Sequence, residues 1–143
     1  MAEVMAGFVC GYGLALVVTP IAAITLLRVR VSSSYLQRVV PPGTSLIAIS
    51  VILHTFAFLT LTALGILLGL LLAGIEDRSP GGGLGSPNRV FTAFILTASA
   101  VAVLPLAIAL PRWRASLLAG GLSFAASFGW LMPYLSLLGP NGE

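Results

Sequence analysis

Lysine is absent from this sequence and charge of either sign is scarce: seven arginines and four acidic residues make up 8% of 143 positions. An ordinary soluble domain carries roughly a quarter of its residues charged. With 58% of the chain hydrophobic, there is too little polar side chain to clothe a water-facing surface. Cysteine occurs once, at Cys10, which excludes an internal disulfide, a cysteine-ligated metal cluster and the cysteine pairs of quinone-linked thiol oxidoreductases. Histidine also occurs once, at His54. No Ser/His/Asp set, zinc-ligand spacing or nucleotide-binding loop is present, so no catalytic residues are predicted and the balance leans away from an enzyme without deciding it. The formal net charge of +3 sits between the apolar runs, where it orients a chain against lipid headgroups. Nucleic acid is not an expected partner.

What the sequence does contain is apolar runs of spanning length. A helix needs about 20 apolar residues to cross a hydrocarbon layer roughly 30 Å thick, and it satisfies its own backbone hydrogen bonds there. Four such runs are present, at about 4–27, 44–74, 90–110 and 115–138. They are apolar on every side, without the alternation of a barrel strand. The expected fold is an all-α integral membrane protein, a single domain of four transmembrane helices with the lipid bilayer as its surroundings. The chain begins Met1-Ala2-Glu3 and stays apolar from Val4 to Leu27, longer than an ordinary signal-peptide core, so this run is expected to be a retained first helix. Bulky Phe8 and Val9 precede Cys10, which argues against a lipid anchor there.

Between the first two runs, Ser32, Ser33 and Ser34 precede Tyr35, Leu36, Val39 and Val40, with Gln37 and Arg38 on the other side. This predicts a short interfacial helix, ended by Pro41-Pro42-Gly43. The second run exceeds the bilayer's need and must tilt, kink or project. The segment 76–88 is dense in glycine and turn formers and reads as an aqueous loop, with Ser86 as N-cap and Pro87 as first residue of the third helix. Pro80-Gly81-Gly82-Gly83-Leu84 resembles the Pro-Gly-Gly-Gly-Phe loop of small subunits in multi-subunit sodium/proton antiporters over five residues. Leucine replaces the phenylalanine and the loop's place in the chain differs, so no family membership is drawn from it. Pro111-Arg112-Trp113-Arg114 is a link short enough to make the last two spans an antiparallel hairpin. Pro20, Pro105 and Pro133 lie inside spans, and Pro20 is expected to kink the first.

Small residues four apart mark where membrane helices pack. Gly7, Gly11, Ala15, Thr19 and Ala23 form such a stripe on the first span, Gly65, Gly69 and Ala73 on the second, and Gly121, Ala125 and Gly129 on the fourth. Ala119, Ser123 and Ser127 widen the last stripe, enough for two neighbours, and hint at a protein partner. No Asp, Glu, Lys or Arg lies inside the predicted spans. The size resembles that of the small four-helix multidrug antiporters, but their acidic residue within the first span has no counterpart, since Glu3 falls just outside.

His54, about ten residues into the second run, therefore stands alone. One reading is an axial haem ligand or proton relay. The other is a neutral imidazole bonded to a serine, threonine or carbonyl of a facing helix. Haem is the one cofactor this residue makes possible. It would require a second histidine from another chain. Three functions are compatible with this sequence. The favoured one is a non-catalytic accessory or structural subunit of a larger membrane complex, held to other subunits or to copies of itself. The second is a haem- or quinone-associated redox anchor using His54. The third is an oligomeric channel or carrier for a small neutral solute, lined by serines and threonines such as Ser123 and Ser127.

Arg28, Arg30, Arg38, Arg112 and Arg114 fall on one side of the predicted topology, with Trp113 as an interface anchor; Arg78 and Arg89 fall on the other. The positive-inside rule places the five in the cytoplasm and both termini outside the cell membrane. In a Cys10→Ala background, Ser33→Cys is expected to react with an impermeant maleimide only after permeabilisation, and Gly82→Cys in intact cells. The reverse pattern would invert the topology.

Overall fold

The computed structural model describes residues 1–40, 43–75 and 85–138. Among them the chain is all helical. α1 spans Ala2–Arg30, α2 Ser34–Val39, α3 Leu46–Gly74 and α4 Arg89–Ala109. A 3-10 turn at Pro111–Trp113 leads into α5 (Arg114–Phe124), a π-helical segment (Ala125–Leu131) and α6 (Met132–Leu137). The last three form one continuous rod. α1, α3, α4 and this rod are four helices long and apolar enough to cross a membrane. Segment 76–84, including Arg78 and the glycine run, and residues 41–42 of the Pro-Pro-Gly stop lie outside the described residues.

Local chemistry explains most boundaries. The Ser33 and Ser45 hydroxyls accept from Leu36 N (3.4 Å) and Ala48 N (3.1 Å), capping α2 and α3. α1 runs without interruption through Pro20 to Arg30. The start of α4 corrects the expectation of a Ser86 cap: the N-cap is Asn88, whose Oδ1 accepts from Phe91 N at 2.9 Å. Ser86 is instead drawn inward, its hydroxyl accepting from Asn88 N at 3.2 Å. Serine and asparagine are both good caps, so the sequence alone does not rank them.

α1 is the central element, packing on α3 and on the fourth rod, while α4 packs on the rod. The hydrophobic core joins Ala6, Cys10, Leu14, Leu72, Phe91, Ile95, Phe128 and Met132. These residues come from the start of α1, the end of α3, the start of α4 and the end of the rod, so the core occupies one end of the bundle. Asn88 Nδ2 closes that end by donating to Ile75 O at 3.4 Å. At the other end α5 buries no residue fully. The Thr25 and Ser116 hydroxyls, 3.5 Å apart, set the level of α5 against α1 there.

The α1–α3 contact is made by backbone. Gly7, Gly11, Ala15, Thr19 and Ala23 are all buried. A Cβ on Gly7 would overlap the Gly65 carbonyl, and one on Gly65 would overlap that of Gly7. Gly11 lies against Thr62, whose Cα would be 2.8 Å from an added Cβ, and Gly69 against Val4, also at 2.8 Å. Ala73 does not continue this seam: it is exposed, and Leu72 is the buried residue at that level.

The rod's stripe faces α4. Ala125 and Gly129 are buried, Gly129 against Ile95 and Thr92. Gly121 meets Val103, 2.7 Å from the position of an added Cβ. The neighbouring ridge, with Ser116, Gly120 and Ser123, turns toward α1. The rod thus has two neighbours within the chain, α4 along Gly121, Ala125 and Gly129 and α1 along Ser123, while Ala119 of the same strip is exposed.

Gly65→Leu forces apart two backbones rather than a flexible side chain, and should cost about 1–3 kcal/mol or more. Gly13, where an added Cβ meets nothing within 4 Å, should accept alanine without loss. Thermal unfolding of the two variants in the same detergent checks both.

Candidate functional site

Two polar features are built into the apolar bundle. The first lies on the α1–α3 seam. The antiparallel pairing that sets Gly7 against Gly65 brings Thr19 level with His54 twelve residues further along, and Thr19 Oγ1 is 3.2 Å from His54 Nδ1. Thr19 also lies 2.7 Å from the Ala15 carbonyl, four residues back on its own helix. A hydroxyl has one proton, and the carbonyl can only accept. Thr19 therefore donates to Ala15 and accepts from Nδ1–H of the imidazole. This places a proton on Nδ1 and turns Nε2 away from the threonine. His54 is half-buried, its ring tilted over Phe58 at 6.5 Å, and Phe58 meets Tyr12 edge-on at 5.8 Å.

The second feature, which sequence reasoning missed, joins the start of α4 to the π-helical segment. Ser86, Asn88 and Thr92 are all buried. Thr92 Oγ1 lies 2.5 Å from Ser86 Oγ, 2.9 Å from the Asn88 carbonyl and 2.7 Å from the Gly129 carbonyl. Asn88 N–H donates to Ser86 Oγ, the Ser86 hydroxyl lies within reach of both the Asn88 carbonyl at 3.1 Å and Thr92 Oγ1, and the Thr92 hydroxyl is the side-chain donor that reaches Gly129 O. The Asn88 carbonyl meanwhile receives the Thr92 amide at 3.1 Å. Tyr134 adds a hydroxyl bond to the Gly85 carbonyl.

Gly129 needs that donor because of Pro133. In an α-helix the Gly129 carbonyl would accept from the amide four residues later, and proline has none. The helix widens over Ala125–Leu131, and Met132 N–H reaches back five residues to Ser127 O. The sequence signal was a proline four positions after a glycine on a packing stripe. What it could not supply was the identity of the donor. A similar bond, Ser99 Oγ to Gly121 O at 3.1 Å, joins the same two helices two turns away.

The charged residues gather elsewhere. Arg28 and Arg30 end α1, Arg38 ends α2, Arg112 and Trp113 lie in the 3-10 turn, and Arg114 opens α5. All belong to the loosely packed end. Cys10 is buried in the core. Among the described residues no group of three or more histidine, cysteine or acidic side chains comes together as a metal site. Comparison of the chain with protein-family models, curated proteins and solved structures yields no match.

Thr92→Val should lower stability by about 1 kcal/mol, the scale of an interhelical hydrogen bond in a membrane bundle. In a Pro133→Ala background the Gly129 carbonyl regains an intrahelical amide, and the same change should cost about half as much or less. A double-mutant cycle of unfolding free energies measures the difference.

Proposed function

We propose that the chain is a multi-pass protein of the cell membrane, with both termini outside the cytoplasm, and a non-catalytic accessory or structural subunit of a larger membrane complex. The observation that carries the proposal is the position of α3. This helix packs mainly on one other, α1. Its remaining surface is apolar and uncovered, with Ile47 76%, Ile52 70% and Phe56 72% exposed. A patch of that kind belongs in lipid or against another protein. Lipid alone gives helices little reason to associate, so a bundle with one helix attached along a single seam gains from a partner on the other side. The polar groups described above support this role, because each serves a contact between helices.

Extraction in a mild detergent followed by mass spectrometry should recover specific partner proteins in constant ratio. The pair Ile52→Ala and Phe56→Ala is expected to reduce their recovery at least tenfold while leaving unfolding of the isolated protein unchanged. Purification of the chain alone, or only with copies of itself, overturns the accessory role.

A second reading rests on His54. Metal-ligating histidines commonly donate their other ring N–H to a neighbouring group, which fixes the tautomer. The Thr19 contact leaves Nε2 as the ligating nitrogen. An anchor of this kind, with haem shared with a histidine of another chain, should show a visible absorption band in the native complex that His54→Ala abolishes. A colourless complex, active with alanine at this position, sinks the haem role.

A further inference from the structure

A wedge-shaped groove of about 440 Å³ opens between α4 and α5. Its α4 wall is Ala98, Ser99 and Ala102, and its α5 side is Ser116, Gly120 and Phe124. A smaller cavity of about 140 Å³ on the other side of the same ridge, against α1, shares Ser116 and Gly120. Both exist because the bundle core is confined to the opposite end, so α4, α5 and α1 diverge here without side chains large enough to fill the space.

We propose that this wedge holds one acyl chain of an anionic phospholipid, with the lipid phosphate held by the arginines at its mouth. The size of the wedge suits a chain-like small ligand, within the range of about 300–1,000 Å³ typical of such sites. Its walls are almost wholly apolar, and the Ser99 hydroxyl is already bonded to Gly121 O at 3.1 Å. An alkyl chain needs no more than that.

Charge decides which lipid. Arg114 and Arg112 precede Ser116 by two and four residues, and both are exposed. The Thr25–Ser116 contact brings the last turn of α1 to the same level, so exposed Arg28 also faces this end. Glu3, the one acidic residue among the described residues, lies in the first turn of α1, at the opposite end of the bundle. Cations at the mouth of an apolar groove match a phosphate carrying net negative charge, and guanidinium groups bind phosphate through paired N–H donors. A zwitterionic headgroup offers them less. The inference rests on membrane insertion and not on the accessory role; resistance of the protein to alkaline carbonate extraction tests insertion separately.

The test is native mass spectrometry of the full chain in detergent, titrated with phosphatidylglycerol or phosphatidylcholine. The wild-type protein should retain one phosphatidylglycerol at least tenfold more tightly than phosphatidylcholine. Arg112→Gln with Arg114→Gln should remove that preference. Gly120→Leu should abolish retention of both lipids. Gly120 lines the wedge and a Cβ there meets nothing within 4 Å, so a larger side chain takes up its free space. Gly13→Leu, equally open and on exposed α1 surface, should bind as wild type does. Equal retention of the two lipids by the wild type, retention of neither, or unchanged binding by either the arginine or the Gly120 variant overturns the proposal.

Discussion

The approach of α1 to α3 is the constraint on which the remaining structure depends. Where Gly7 meets Gly65 the two backbones are in contact, with no room for a side chain on either. That contact fixes the axial register of the two helices, and the rest of the seam follows from it at intervals of one or two turns: Gly69 over Val4, Gly11 over Thr62, Thr19 over His54. For helices long and apolar enough to cross a membrane, close packing and short polar contacts are the attractions that lipid would leave available. The seam uses both, which is why α3 is held by one helix and leaves the rest of its surface uncovered.

The opposite side of α1 receives the fourth rod, and there the organising fact is a missing amide. Pro133 cannot donate to Gly129, and an unsatisfied carbonyl in an apolar interior is expensive. The rod answers with a π-helical turn and α4 with the Thr92 hydroxyl. The same threonine orders Ser86 and the cap residue Asn88, and Asn88 in turn reaches the end of α3. A backbone defect in one helix is thereby tied to the closure of one end of the bundle. π-Helical turns often accompany function, and here the turn serves assembly.

The consequence is a bundle of uneven density. Core side chains, the hydroxyl chain and the contact between α3 and α4 concentrate at one end. The arginines of α1, α2 and the 3-10 turn and the open grooves lie at the other. A uniformly packed bundle would have no space for a ligand chain, and an evenly charged one no preference among lipids. The proposed roles as subunit and as lipid-binding protein draw on different surfaces, the outer face of α3 and the wedge beside α5, and do not compete.

Much of this was legible in the sequence because it depends on period and composition alone. Four helices of spanning length, the Ser33-capped helix between the first two, the tight last hairpin and the stripe from Gly7 to Ala23 follow from apolar runs, capping residues and a four-residue repeat. Pairing was not legible. A stripe shows that a helix packs closely and not against what, so the match of Gly7 to Gly65, the departure of Ala73 and the two neighbours of the fourth rod were decided only when the helices met. His54 was visible as the one histidine of the chain, yet the hydrogen on its Nδ1 depends on Thr19, 35 positions away. Pro133 was visible inside the last span, but the Gly129 carbonyl it leaves without an amide, and the donor 37 positions earlier, emerged only from tertiary contact. Local propensity fixes where helices run, since their hydrogen bonds close within four or five residues. Which side chains meet across helices depends on register, and register is set by long-range packing.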